Sequence, residues 1–199
     1  MTAEGFVPVR ADLPNAAKLA VVGAVSGVIA WVIIDASDSG SLKFDVEDYG
    51  IMLMPIAVYP GLVFGLLAGV YLRYRIRISG LRTIGYVLAA GLGYFAAFHV
   101  AFYIINAESD EQGAVVVNII SGVAAGFAGS LLLGLLSKFL LRMPARLVMG
   151  LPLLVGTASG AFLALTSFDH NGWTFLAFFV LWQAAYGASL APLLRTRAA

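Results

Sequence analysis

Between Gln112 and Ser137 the chain carries no ionisable side chain. At 1.5 Å per residue this run is long enough to cross a hydrocarbon core of roughly 30 Å. Lipid offers no partner for an exposed backbone N–H or C=O, so such a run must bond internally as a helix. Its centre, Val116 to Gly129 (VVNIISGVAAGFAG), is also rich in small residues. Ser121, Gly122, Ala125, Gly126 and Gly129, followed by Ser130, give it an almost continuous small face. Small faces let helix backbones approach closely, which is how membrane helices associate where lipid removes the hydrophobic drive.

The same stretch relates the two halves of the chain. Shifted by 95 positions it falls on Val21 to Ile34 (VVGAVSGVIAWVII), with identities at Val21, Val22, Ser26, Gly27, Val28 and Ala30. That shift places Gly61 and Gly65 on Gly156 and Gly160, so a GxxxG pair recurs in the second helix of each half. Near it, Ala90 and Gly93 fall on Ala184 and Gly187. The expectation is an all-α integral membrane protein of six transmembrane helices, built as a three-plus-three repeat. The glycines expected to mediate packing are Gly23, Gly27, Gly61, Gly65, Gly122, Gly126, Gly156 and Gly160.

With 61% hydrophobic and only 12% charged residues, the 199-residue chain is too apolar for a water-soluble domain. Cysteine is absent, which excludes disulfides, thiolate metal sites and cysteine nucleophiles. Residues 1–17 read as a flexible polar arm, with Pro8 and Pro14 and no cleavable signal pattern. A single membrane domain follows over 18–194, in halves 18–106 and 112–194, and a short tail over 195–199. Within it the helices are expected at 18–34, 50–72, 83–106, from 112 onward, at 147–167 and at 173–194. Arg73 to Arg77 (RYRIR) reads as a basic loop between the second and third helices. Pro55 and Pro60, early in the second helix, are echoed by Pro152 in the fifth.

Arg10, Lys18, Arg73, Arg75, Arg77, Arg82, Lys138, Arg142, Arg146, Arg195 and Arg197 fall on one side of this arrangement, with only Lys43 on the other. Lysine and arginine collect on the cytoplasmic side of a membrane. Both termini are therefore expected in the cytoplasm, with the chain in a prokaryotic cytoplasmic membrane. Three helices per half make the halves inverted with respect to each other, as in many transporters and channels.

No Asp, Glu, Lys or Arg lies in a helix core, which argues against an ion-coupled pump. The candidate substrate-path residues are the polar groups at depth: His99, Asn118, Ser121, Gln183 and Tyr186. His99 and Asn118 lie at similar depth and are expected to be able to meet; the same groups can serve as interhelical hydrogen-bond glue. His170 beside Asp169 is too small a set for a metal, His99 has no matching haem partner, and no nucleotide motif is present, so no metal, cofactor or nucleic-acid partner is expected.

The run GTASGAF, Gly156 to Phe162, resembles the serine motif of rhomboid intramembrane proteases, in which a histidine from a later helix takes the serine's proton. Here the only later histidine is His170, in the loop after the fifth helix, and the sixth helix offers Gln183 instead. Ser159 is therefore not assigned as a nucleophile, and no enzyme activity is expected. The expected function is a small channel or permease, or its solute-binding subunit, for a neutral or cationic solute. The alternative is a non-transporting accessory subunit that binds another membrane protein, or a second copy, through its small-residue faces. Membrane lipids are partners on either reading.

Overall fold

A computed structural model describes residues 13–36, 55–107, 114–167 and 173–194. Most of the acidic loop residues and the Asp169–His170 pair lie outside them. The described chain is all-helical: α1 (Leu13–Ala36), α2 (Pro55–Ile76), α3 (Gly80–Ala107), α4 (Ala114–Leu141), α5 (Leu151–Gly160) and α6 (Trp173–Ser189). A π-helical turn (Arg146–Gly150) leads into α5, a 3-10 segment (Ala161–Ser167) extends it, and a 3-10 turn (Ala191–Leu194) ends α6. With these extensions, six spans are long and apolar enough to cross a membrane, which makes this an integral membrane protein.

The structure departs from the sequence expectation in several places, α3 beginning at Gly80 among them. The first helix begins at Leu13 rather than Lys18, so Pro14 sits in its first turn, where a missing N–H costs nothing. Arg73 and Arg75 are not loop residues but the last turn of α2, where cations favour the negative end of the helix dipole. The true connection is the three residues 77–79, opened by Arg77 in the left-handed region (φ 54°). The fifth span is not one regular helix. Pro152 cannot bond the carbonyl of Val148 four residues earlier and its ring clashes there, and the chain ahead of it adopts the wider π register. Pro60, inside α2, likewise has no N–H to offer the carbonyl of Ile56 four residues earlier.

The helices form a ring in chain order: each packs on the next, and α6 closes against α1. Outward faces are apolar at helical spacing, as with Val21, Val25, Val28 and Val32 on α1, and Leu81, Ile84, Leu88 and Leu92 on α3, all exposed. Inward lie small polar groups, with Ser26, Ser121, Ser130, Ser159 and Gln183 buried. This is the distribution a lipid solvent selects.

One end of the bundle holds the larger core, in which Leu19, Leu72, Ile76, Ile78, Leu141, Met143, Val148 and Leu193 pack together. The described lysines and arginines belong to this basic end, where Arg75 of α2 donates to Asn15 Oδ1 of α1 at 3.3 Å. A smaller cluster of Ile34, Tyr94 and Phe179, flanked by Trp31, Phe178 and Trp182, lies toward the far end.

Several glycines sit directly on neighbouring backbones. A methyl group on Gly187 would collide with the Leu19 carbonyl of α1, and one on Gly23 with the Gln183 carbonyl of α6. Gly93 of α3 and Gly129 of α4 face each other's carbonyls, as do Gly122 of α4 and Gly160 at the end of α5. The two GxxxG pairs meet different neighbours: Gly61 and Gly65 face α3, whereas Gly156 and Gly160 face α4. Gly187→Ala is expected to destabilise the protein by about 1–3 kcal/mol through overpacking. Gly80→Ala, whose methyl would meet only the flexible Arg73 side chain, is expected to change little. Thermal unfolding of the two variants in detergent checks the difference.

Candidate functional site

The polar residues expected to line a path separate into two groups. Gln183 is buried and ties three helices together: Ser26 Oγ of α1 donates to its Oε1, and its Nε2 donates to the Pro60 carbonyl of α2 at 3.3 Å. Ser26 also donates to the Gly23 carbonyl of its own helix at 2.7 Å, so its single proton is shared between two acceptors. Tyr186, one turn along α6, is buried with its ring edge-on to Phe64, centroids 5.7 Å apart.

The other three lie elsewhere, and the structure does not bring His99 and Asn118 together by a hydrogen bond. Asn118 Nδ2 donates to Ser167 Oγ at 2.7 Å, pinning the start of α4 to the end of the fifth span. Ser121 is fully buried and donates to the Asn118 carbonyl at 3.2 Å. The imidazole of His99 turns back on its own helix. A carbonyl oxygen can only accept, so Nδ1 carries the hydrogen in its 2.9 Å contact with the Phe95 carbonyl. Its Nε2 is buried without a partner, beside the rings of Phe95, Phe98 and Tyr103. Among the described residues, Ser159 donates only to the Gly156 carbonyl, at 3.4 Å. Among the described residues, no three His, Cys, Asp or Glu side chains gather as a metal site.

The interior holds two cavities in series. The larger, about 180 Å³, lies between α3, α4, the fifth span and α6. Each helix contributes a stripe at three- and four-residue spacing: Tyr94, Phe98, Phe102 and Ile105 from α3, and Phe175, Phe178, Phe179 and Trp182 from α6. Opposite these rings stand small residues, Gly122, Ala125 and Gly126 of α4 and Gly160 of α5. Because a ring needs depth and a glycine cedes it, the pairing of large and small faces is what opens this space. The stripes run from mid-bundle toward the far end, where Ile105 and Phe175 are exposed. Among the described residues, no charged side chain lines it.

The smaller cavity, about 20 Å³, lies deeper, between Gly61, Ala90, Gly93, Gly129, Ser130, Gln183 and Tyr186. It is the size of a single water site, and its walls are almost wholly apolar. Ser130, which borders it, has its Oγ buried with no hydrogen-bond partner among the described residues. Tyr94 and Trp182 border both cavities and meet edge to face, centroids 5.3 Å apart, forming the partition between them. Beyond the smaller cavity, the Phe64–Tyr186 contact and the large core close the basic end.

Of the five path candidates, Gln183 and Tyr186 therefore line the inner cavity, and His99, Asn118 and Ser121 line neither. The aromatic lining was not singled out from the sequence. Its signal is present all the same: rings recurring at Tyr94, Phe98 and Phe102, and again at Phe175, Phe178 and Trp182, on one face of each helix. No family model, no curated protein and no solved structure matches the chain.

The Ser26–Gln183 pair is expected to behave as packing glue. A double-mutant cycle with Ser26→Ala and Gln183→Leu, read by unfolding in detergent, should give a coupling of about 0.6–1.7 kcal/mol, the range of interhelical hydrogen bonds in membranes.

Proposed function

We propose that this chain is a small channel or permease, or the solute-binding membrane subunit of one, for a small solute without charge coupling. The observation that carries this reading is the pair of cavities in series, with Tyr94 and Trp182 between them. A permeation path needs a vestibule, a constriction that can yield, and an inner site. The aromatic cavity, the two rings and the space beside Ser130, Gln183 and Tyr186 supply these in order. Side-chain rotation of two rings is a smaller rearrangement than parting two helices, which makes the partition the natural gate. Gln183 and Tyr186 then serve as inner-site residues, while Asn118 and Ser121 serve packing.

The orientation follows from charge. The basic end faces the cytoplasm, with both termini there, and the arginines meet lipid phosphates; the aromatic cavity then opens toward the other side of a prokaryotic cytoplasmic membrane. The reading as two inverted halves draws on the order of neighbours: exchanging the halves carries the α1–α6 contact onto α4–α3. Ser26 and Ser121, related by the 95-residue shift, are both fully buried and both donate to the carbonyl three residues earlier. The divergent partners of the two GxxxG pairs mark where the halves have been repacked. Glycine-to-backbone approach sets the spacing of the ring, and the contact between the halves is where the cavities lie, as expected for an inverted-repeat transporter.

Flux of small neutral solutes into proteoliposomes tests the reading. Ala101→Phe, which fills the aromatic cavity, is expected to slow entry severalfold; Trp182→Ala, which removes half of the partition, is expected to speed it. Leu92→Phe, on the exposed face of the same helix as Ala101, should leave it unchanged. Folded protein whose flux ignores both cavity variants would overturn the proposal. A stable membrane partner co-purifying with a chain that conducts nothing would support the accessory-subunit reading instead.

A further inference from the structure

We infer that the aromatic cavity is a binding site for an uncharged aromatic molecule of single-ring size. The inference rests on the same cavity as the transport reading but does not require transport. Volume sets the size class. A cavity of about 180 Å³ is slightly larger than the roughly 150 Å³ apolar cavity that accommodates benzene. It therefore suits one ring with a small substituent. The lining sets the chemical class, since its side chains are aromatic, aliphatic or small, and Thr166, its one hydroxyl from the fifth span, already donates to the Leu163 carbonyl at 2.7 Å.

Charge is selected against. Among the described residues no carboxylate lines the space to compensate a cation, and desolvating an ion without a partner is strongly unfavourable. Cation–π contacts would need open ring faces. Several are taken up internally: Phe178 stacks on Trp182 at 6.2 Å and 14°, and Tyr94 presses edge-on to the same indole. What remains for a solute is ring edges and grooves between rings, which favour an aromatic guest in edge-to-face contact.

The indole Nε1–H of Trp182 is buried without an acceptor among the described residues, but it is closed off from the free space of the cavity, so the site asks for no oxygen on its guest. The lining runs to Ile105 and Phe175 at the far end, which gives such a guest its entry.

The test uses the full chain in lipid nanodiscs, titrated with methoxybenzene, toluene and benzyltrimethylammonium, with protein-free nanodiscs subtracting partition into lipid. Saturable one-to-one binding of methoxybenzene is expected, followed calorimetrically and by ligand NMR. Ala101→Phe and Leu163→Phe, which fill the cavity from opposite walls, should each abolish it. Toluene, of the same size and charge as methoxybenzene, should bind in the same way. Folded protein with no saturable binding would overturn the inference, as would binding that survives both filling variants or tighter binding of benzyltrimethylammonium. Binding without flux would leave this inference standing and remove the transport reading. Flux of other solutes without aromatic binding would do the reverse.

Discussion

In lipid, a backbone N–H or C=O has nowhere to bond except to its own chain, and the rest of this structure depends on that constraint. It forces six helices, and then removes the usual reason for them to associate, because hydrocarbon solvates leucine as well as another leucine does. What remains is close contact. Gly187 on the Leu19 carbonyl, Gly23 on the Gln183 carbonyl and Gly122 against Gly160 bring backbones together where any side chain would hold them apart. The few polar side chains inside are consumed by the same task. Gln183 bonds to α1 and α2 at once, and Asn118 bonds to Ser167.

Close contact everywhere would leave no interior space, and the cavity arises where that rule is applied unevenly. Along α4, Gly122 and Gly126 lie against α5 at the backbone, while α3 and α6 carry bulky rings on the faces they turn inward. Rings stacked on rings resist collapse, because moving one displaces its neighbours: Phe178, Trp182, Tyr94 and Phe179 form one connected set. The space they surround is the structural counterpart of the small-residue stripe that dominates the sequence.

How much of this was legible in the chain differs by level. The six spans were, because length and hydropathy decide them almost alone. Boundaries were less so: Arg73 and Arg75 read as a loop because they are charged, but the end of a helix dipole accommodates such charge, and α2 runs on to Ile76. The irregular fifth span needed knowledge of which carbonyl Pro152 leaves unbonded, a consequence visible only once the helix register is known. For the site, a search for polar groups at depth found Gln183 and Tyr186, which do line the inner cavity. It also returned His99, whose Nδ1 is satisfied by its own helix, and Asn118, engaged with Ser167. The aromatic lining escaped because, residue by residue, a ring facing lipid and a ring facing a cavity look alike. Only the helix register, with Tyr94, Phe98 and Phe102 on one face, tells them apart.

The central claim is that the Tyr94–Trp182 partition governs passage between the two cavities. The chain has no cysteine of its own, so Tyr94→Cys with Trp182→Cys can be joined uniquely by a short cleavable thiol-to-thiol linker and flux measured before joining, after joining and after cleavage. Passage arrested by the link and restored by cleavage is the expected result. Passage that continues at full rate through protein shown to be completely linked would contradict it.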